Sequence, residues 1–151
     1  MKRIVLFMVM VSMVCIASYA QKAAEGTKVL VAYFSATGNT EKAAQQVASI
    51  VSGDLHKIQP EKSYTSADLN WRDKSSRSSV EMDDPTSRPA FIDDLKYDLS
   101  GKTVIPFATS GSSNISNAES ELRKAYPDVN WQKGKLMNGA TEEDIKNWTK
   151  K

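Results

Sequence analysis

Six consecutive small residues, Ser35-Ala36-Thr37-Gly38-Asn39-Thr40, follow an apolar run and open a stretch with helical periodicity. Hydroxyls at Ser35, Thr37 and Thr40, the Asn39 amide and the conformational freedom of Gly38 suit a loop that wraps an anion. At a helix start, unpaired N–H groups and the helix dipole favour negative charge. The loop holds no lysine or arginine, so neutral donors would grip the anion. That suits a terminal monophosphate better than a triphosphate with magnesium. The GxxxxGK[ST] spacing is not met: Gly101-Lys102-Thr103 resembles its tail, but Lys96 occupies the place of the first glycine. A second small polar turn, Thr109-Ser110-Gly111-Ser112-Ser113, follows another apolar run.

No other grouping points to chemistry. A single histidine, His56, cannot be argued into a Ser-His-Asp arrangement, and one cysteine with one histidine excludes a zinc cluster. No catalytic and no metal-binding residue is assigned. Arg72, Arg77 and Arg88, and the pairs Asp83-Asp84 and Asp93-Asp94, read as surface charge.

The elements that must position the two turns follow from periodicity. Lys28 to Phe34 is a continuous apolar run, expected as a strand buried on both faces. Thr40 to Ser52 places Ala43, Ala44, Val47, Ala48 and Val51 on one helical face, with Asn39 or Thr40 as N-cap and Gly53 just past the end. Leu55 to Ile58 is a short strand. Gln59 to Pro89 is long and polar, with at most a short helix from Ser66 or Asp68. Lys102 to Thr109 is a strand despite Pro106. Asn114 to Ala125 is a helix with Ile115, Ala118, Leu122 and Ala125 inward. Val129 to Leu136 is a weak strand containing Gly134. Thr141 caps a last helix to Lys150, with Ile145 and Trp148 facing the core. This order predicts an α/β fold with a parallel sheet, and both polar turns fall at the carboxyl ends of strands, where such sheets bind ligands.

The stretch AYFSATGNTEKAA resembles the phosphate loop of the flavodoxin family, S/T-x-T-G-N-T after the first strand. The stretches YTSADLNWRDKSSRSSVEMDDPTSRP and GKTVIPFATSGSS resemble a subfamily of secreted or lipid-anchored bacterial flavodoxins, and the resemblance spans 28–149. It implies a flavodoxin-like three-layer sandwich. Ser35, Ala36, Thr37, Gly38, Asn39 and Thr40 would hold the phosphate of FMN. Thr109, Ser110 and Gly111 would lie beside its ring. The family carries a further βα unit where this chain has only Ala90 to Leu99, so roughly thirty residues are missing, judged from the length of a crossover unit. The expected sheet therefore has four strands rather than five, with strand 102–109 moved beside strand 28–34. The aromatic wall that this unit supplies in the family is absent. Trp71 and Tyr97 are candidates to replace it, although packing is the commoner use of such rings.

Residues 1–20 read as an exported protein's leader: Lys2 and Arg3, an apolar stretch from Ile4 to Ala17, and small residues at Ser18 and Ala20 before a cut. Cys15 lacks the small preceding residue of a lipid-attachment site, having Val14 there, so membrane attachment would come only through an uncleaved or acylated leader. Residues 21–27 are a polar lead-in and 28–150 the folded domain. Removing 20 of the 151 residues leaves 131. Lys2 and Arg3 leave with them, so 18 of the 20 basic side chains remain against 18 acidic ones. A neutral chain gives no ground for nucleic-acid binding. The expected function is an FMN-binding electron carrier or FMN-dependent oxidoreductase, periplasmic or extracellular, serving an unidentified redox protein. The alternatives are a degenerate scaffold without flavin, or a binder of another phosphorylated small molecule.

Overall fold

The computed structural model describes residues 28–87, 89–92 and 98–150. The leader, Arg88, Asp93, Asp94, Lys96 and Tyr97 lie outside the described residues. The elements are β1 (Leu30–Tyr33), α1 (Asn39–Val51), β2 (Asp54–Lys57), α2 (Arg77–Asp83), a 3-10 turn (Pro85–Ser87), β3 (Thr103–Val104), β4 (Phe107–Ala108), α3 (Ser116–Ala125), β5 (Asn130–Trp131), β6 (Lys135–Leu136) and α4 (Glu142–Thr149). The three pairings between described strands are parallel: β1 with β2, β3 with β5, and β4 with β6, and one antiparallel bridge joins Pro60 to Phe91.

β3 and β4 are halves of one strand line, and β5 and β6 halves of another. Pro106 sits at the first break because it has no N–H to donate, while its carbonyl accepts from Lys135 N–H at 3.0 Å. Gly134 sits at the second. A Cβ there would stand 2.9 Å from the Pro106 carbonyl oxygen and 2.9 Å from Ile115 Cδ1. Only glycine lets the two lines close at that point.

Four strand lines are described, and their placement differs from expectation. Line 103–108 pairs with 130–136 and has not moved beside β1, which among the described residues is bonded to β2 alone. The Val29 and Tyr33 carbonyls accept from Asp54 and Ile58 N–H at 2.9 and 2.7 Å. Strand alternation then turns the main-chain groups of Leu30 and Ala32 to the opposite edge. In the same way the Val104, Pro106 and Ala108 carbonyls face the 130–136 line, at 2.9, 3.0 and 2.9 Å from their donors. Ile105 and Phe107 therefore turn away from it, and among the described residues two edges are unpaired.

The core lies on one face of β1. Val31 and Tyr33 pack with Ala43, Ala44, Val47 and Ala48 of α1, with Met137, and with Ile145 of α4. Ile145 has no exposed surface, a burial worth roughly 1.5–3 kcal/mol. Trp148 packs at its margin, as expected. The expected burial of β1 on both faces does not hold: Leu30 is 42% exposed and Ala32 is exposed as well. No described helix covers that side.

Helix ends show further differences. The N-cap of α1 is Gly38 at φ +85°, not Asn39 or Thr40, and Ser52 at φ 51° takes the left-handed C-cap. Gly53 serves close approach instead, since a Cβ on it would lie 3.1 Å from the Val29 carbonyl oxygen. A helix from Ser66 or Asp68 stops after one turn, at Leu69 N–H to the Thr65 carbonyl, 3.2 Å. Asn70 and Asp73 then bond the amides of Arg72 and Ser75 with their own side chains, which diverts the chain from helix. The helix of this region is α2, capped by buried Ser76, whose side chain accepts from Ser79 N–H. In α3, Ile115 and Leu122 are half-buried, but Ala118 and Ala125 are exposed. The inward polar residue is Glu119, which accepts from Gly134 N–H at 2.6 Å.

Candidate functional site

The loop after β1 and the turn after β4 meet at the carboxyl edge of the strands. They enclose a cleft of about 570 Å³ whose lining includes Ser35, Ala36, Thr37, Asn39, Thr40, Thr109, Ser110 and Gly111. Eight of the nine expected site residues thus share one cavity. Gly38 does not line it; it shapes the loop.

The loop is built by short local bonds. Ser35 Oγ accepts from Gly38 N–H at 3.1 Å, and Asn39 Nδ2 donates to Thr37 Oγ1 at 3.4 Å. Gly38 then enters the left-handed region without clash, because nothing lies within 4 Å of where its Cβ would be. The first helical bond runs from Lys42 N–H to the Gly38 carbonyl, 3.2 Å. The amides of Asn39, Thr40 and Glu41 precede it and have no intrahelical acceptor. This is a donor cradle with no fixed positive charge.

Glu41 stands in the same first turn, and its charge would oppose an anion. It is engaged on both oxygens: Lys57 Nζ lies 3.1 Å from Oε2 and the Tyr33 hydroxyl donates to Oε1 at 3.2 Å. The Lys57 bond, aided by Tyr33, holds the Glu41 carboxyl below the usual carboxylate range against the opposing effect of burial. Burial, and then Glu41 itself, pushes the Tyr33 phenol up.

The two halves of the cleft are tied together. Thr40 Oγ1 and Thr109 Oγ1 share a hydrogen bond of 2.8 Å. The Ser110 turn is held by its own Oγ, which accepts from Ser113 N–H at 2.8 Å. Asn138 also reaches it, accepting from Ser110 N–H at 2.9 Å and donating to the Ser110 carbonyl at 2.7 Å. Asn138 and Phe34 line the cleft and were not expected from sequence. The signal for Asn138 was present: Asn138-Gly139 follows the last strand run, at the same sheet edge as the other two turns.

Phe34 is the aromatic side chain of the lining. Its ring lies 5.7 Å from that of Tyr64, tilted by 59°. Tyr64 is braced in turn: the Arg77 guanidinium stacks 4.0 Å above its ring, and the Tyr64 hydroxyl bonds Glu81. Arg77 Nε also contacts Glu81 at 2.7 Å. Arg77 is therefore part of a half-buried cluster rather than free surface charge. Trp71 fills neither role considered for it. It is 70% exposed, stacked only by Arg72 at 4.4 Å, and does not line the cleft. Among the described residues no cluster of acidic, cysteine or histidine side chains could hold a metal ion.

Comparison with known proteins accords with this geometry. The flavodoxin family model matches residues 28–96 and 94–151. Two solved structures, each of a "putative flavoprotein", are similar. The one from Bacteroides uniformis is 51% identical with a TM-score of 0.77, covering 84% of this chain and 100% of that one. The one from Bacteroides eggerthii is 43% identical with a TM-score of 0.77, covering 82% and 96%. No curated protein matches. The chain belongs to the flavodoxin family.

Proposed function

We propose that the chain binds FMN in this cleft and serves as an electron carrier or flavin-dependent redox protein of the cell envelope. The observation that carries the reading is the joining of an uncharged donor cradle at the start of α1 to the Thr109–Gly111 turn through the Thr40–Thr109 bond. The two solved relatives named as flavoproteins support it. Bound there, FMN would supply the redox chemistry. Ser35, Thr37, Asn39 and Thr40 would hold the terminal phosphate with the free amides of α1. Thr109, Ser110 and Gly111 would lie against the ring, with Phe34 at its margin. A terminal phosphate monoester fits a cradle of this size and neutrality, which favours FMN over FAD. Titrating the purified protein with FMN, followed by flavin absorbance, tests the reading. Stoichiometric binding with a shifted visible spectrum is expected, and no binding at high micromolar FMN would overturn it.

A second reading, a flavodoxin scaffold that binds no flavin, has a specific observation behind it. The edge of β1 beyond Leu30 and Ala32 is unpaired among the described residues, and the family match comes in two pieces that meet at 94–96. Both support the loss of one βα unit at this place, and with it one wall of the cleft. The same FMN titration separates the two readings. Envelope localisation rests on the leader, and fractionation of cells producing the full chain tests it: recovery in the cytoplasm at full length would contradict it.

A further inference from the structure

We propose that Asn138 is a positioning residue of this cleft: its carboxamide locks the Ser110 peptide on both sides and fixes where the Ser110–Gly111 turn stands against a bound flavin. The proposal rests on the flavin reading for its ligand, but the lock itself belongs to the protein alone. Parallel pairing of β4 with β6 ends with Met137 N–H on the Ala108 carbonyl at 2.9 Å. Two residues further along, Ser110 has no strand partner. There the Asn138 side chain replaces a strand: Oδ1 takes the Ser110 N–H at 2.9 Å and Nδ2 gives to the Ser110 carbonyl at 2.7 Å.

Asn138 is itself held in place. Met137 before it is buried in the core. Gly139 after it adopts φ +67°, and Ala140 N–H closes the turn on the Met137 carbonyl at 3.2 Å. The Thr141–Asp144 capping box of α4 follows at once. The lock requires a donor and an acceptor on one short planar group. Aspartate lacks the donor when ionised, and glutamine is a methylene longer.

The test has two arms. In the protein without added flavin, amide exchange of Ser110 is followed by nuclear magnetic resonance. Asn138→Ala should speed it at least about tenfold, the scale of one lost hydrogen bond, while core amides such as Val47 keep their rates. With FMN, Asn138→Ala should weaken binding about tenfold and alter the visible circular dichroism of the flavin. Asn138→Asp should bind weakly at neutral pH and recover as the pH falls, because a protonated carboxyl can again donate to the Ser110 carbonyl. The unchanged protein should show no such recovery. Ser110 exchange equal in Asn138→Ala and the unchanged protein would overturn the proposal. So would an Asn138→Asp profile that follows the unchanged protein's. Failure of the unchanged protein to bind FMN would sink the flavin reading alone, and the exchange arm would still decide the lock.

Discussion

At Gly38 a single residue decides whether the cradle forms. Its φ of +85° lies in the left-handed region, and nothing crowds the place of a Cβ. The cost of a side chain there is therefore conformational rather than steric, about 1–2 kcal/mol. Gly38→Ala should lower stability by that amount in urea unfolding, and Gly38→Asn by less, since asparagine tolerates the region. Equal stability of all three would contradict the assigned conformation. Charge at the residue scale sets the acid limit. Backbone and side-chain bonds hold several carboxyls below their usual range: Lys57 for Glu41, the Thr65 amide and hydroxyl for Asp68, and the Thr141 hydroxyl and amide for Asp144. Glu81 is lowered too, the Tyr64 and Arg77 bonds outweighing its burial. A depressed folded-state pKa adds stability that is present above the unfolded value and is lost as pH falls through the folded one. The urea midpoint should thus be level from about pH 5 to about pH 8 and fall below about pH 4. A midpoint that rises on acidification would contradict these pairings. The two turns that line the cleft were legible because SATGNT and TSG are small polar runs directly after apolar ones. Asn138 carries only the signal of an Asn-Gly turn after the last strand run; its reach to Ser110, 28 residues away, follows from the pairing of β4 with β6.

At the scale of elements, the close crossing of the two short strand lines hangs on Gly134. A methyl group there would meet the Pro106 carbonyl and Ile115 at 2.9 Å. Backbone cannot swing aside, so Gly134→Ala should cost about 1–3 kcal/mol, the usual range for overpacking. A shift in thermal midpoint near zero would show that the lines can part. β1 offers a sharper test. Its Val31 and Tyr33 amides point to β2 and should resist hydrogen exchange, whereas those of Leu30 and Ala32 should exchange far faster. Uniform protection along the strand would mean a second neighbour for β1. Helix α1, helix α4 and the strand runs were legible from periodicity, because one apolar face per element was enough. The short α2 was not: Asx and hydroxyl turns from Thr65 to Ser75 place its start at Ser76, and turn chemistry of that kind leaves no hydrophobic period. The break at Pro106 was foreseen as a weakness, but its partner glycine could be read only from the strand register.

At the scale of the molecule, one side of the sheet carries the core and the other does not. α1 and α4 bury Val31, Tyr33 and Ile145, while Leu30, on the other face of β1, remains 42% exposed. Loss of one βα unit, as the second reading has it, would account both for this exposed apolar surface and for the edge of β1 that is open among the described residues. The fold was legible because family pattern stands in the loop at 35–40 and in the stretches 64–89 and 101–113. The arrangement of the strands was not, because periodicity does not say which lines pair; among the described residues 103–108 pairs with 130–136 and β1 with β2. The proposed phosphate cradle is tied to the turn after β4 through Thr40 and Thr109. The central claim is therefore that this chain recognises a flavin through its phosphate. The measurement that tests it most directly is a paired titration with FMN and riboflavin, read by quenching of flavin fluorescence. Ring contacts are common to both ligands, and only the phosphate differs. FMN should bind at least about a hundredfold more tightly, equivalent to roughly 2.8 kcal/mol. Equal affinities, or no binding of either, would contradict the claim.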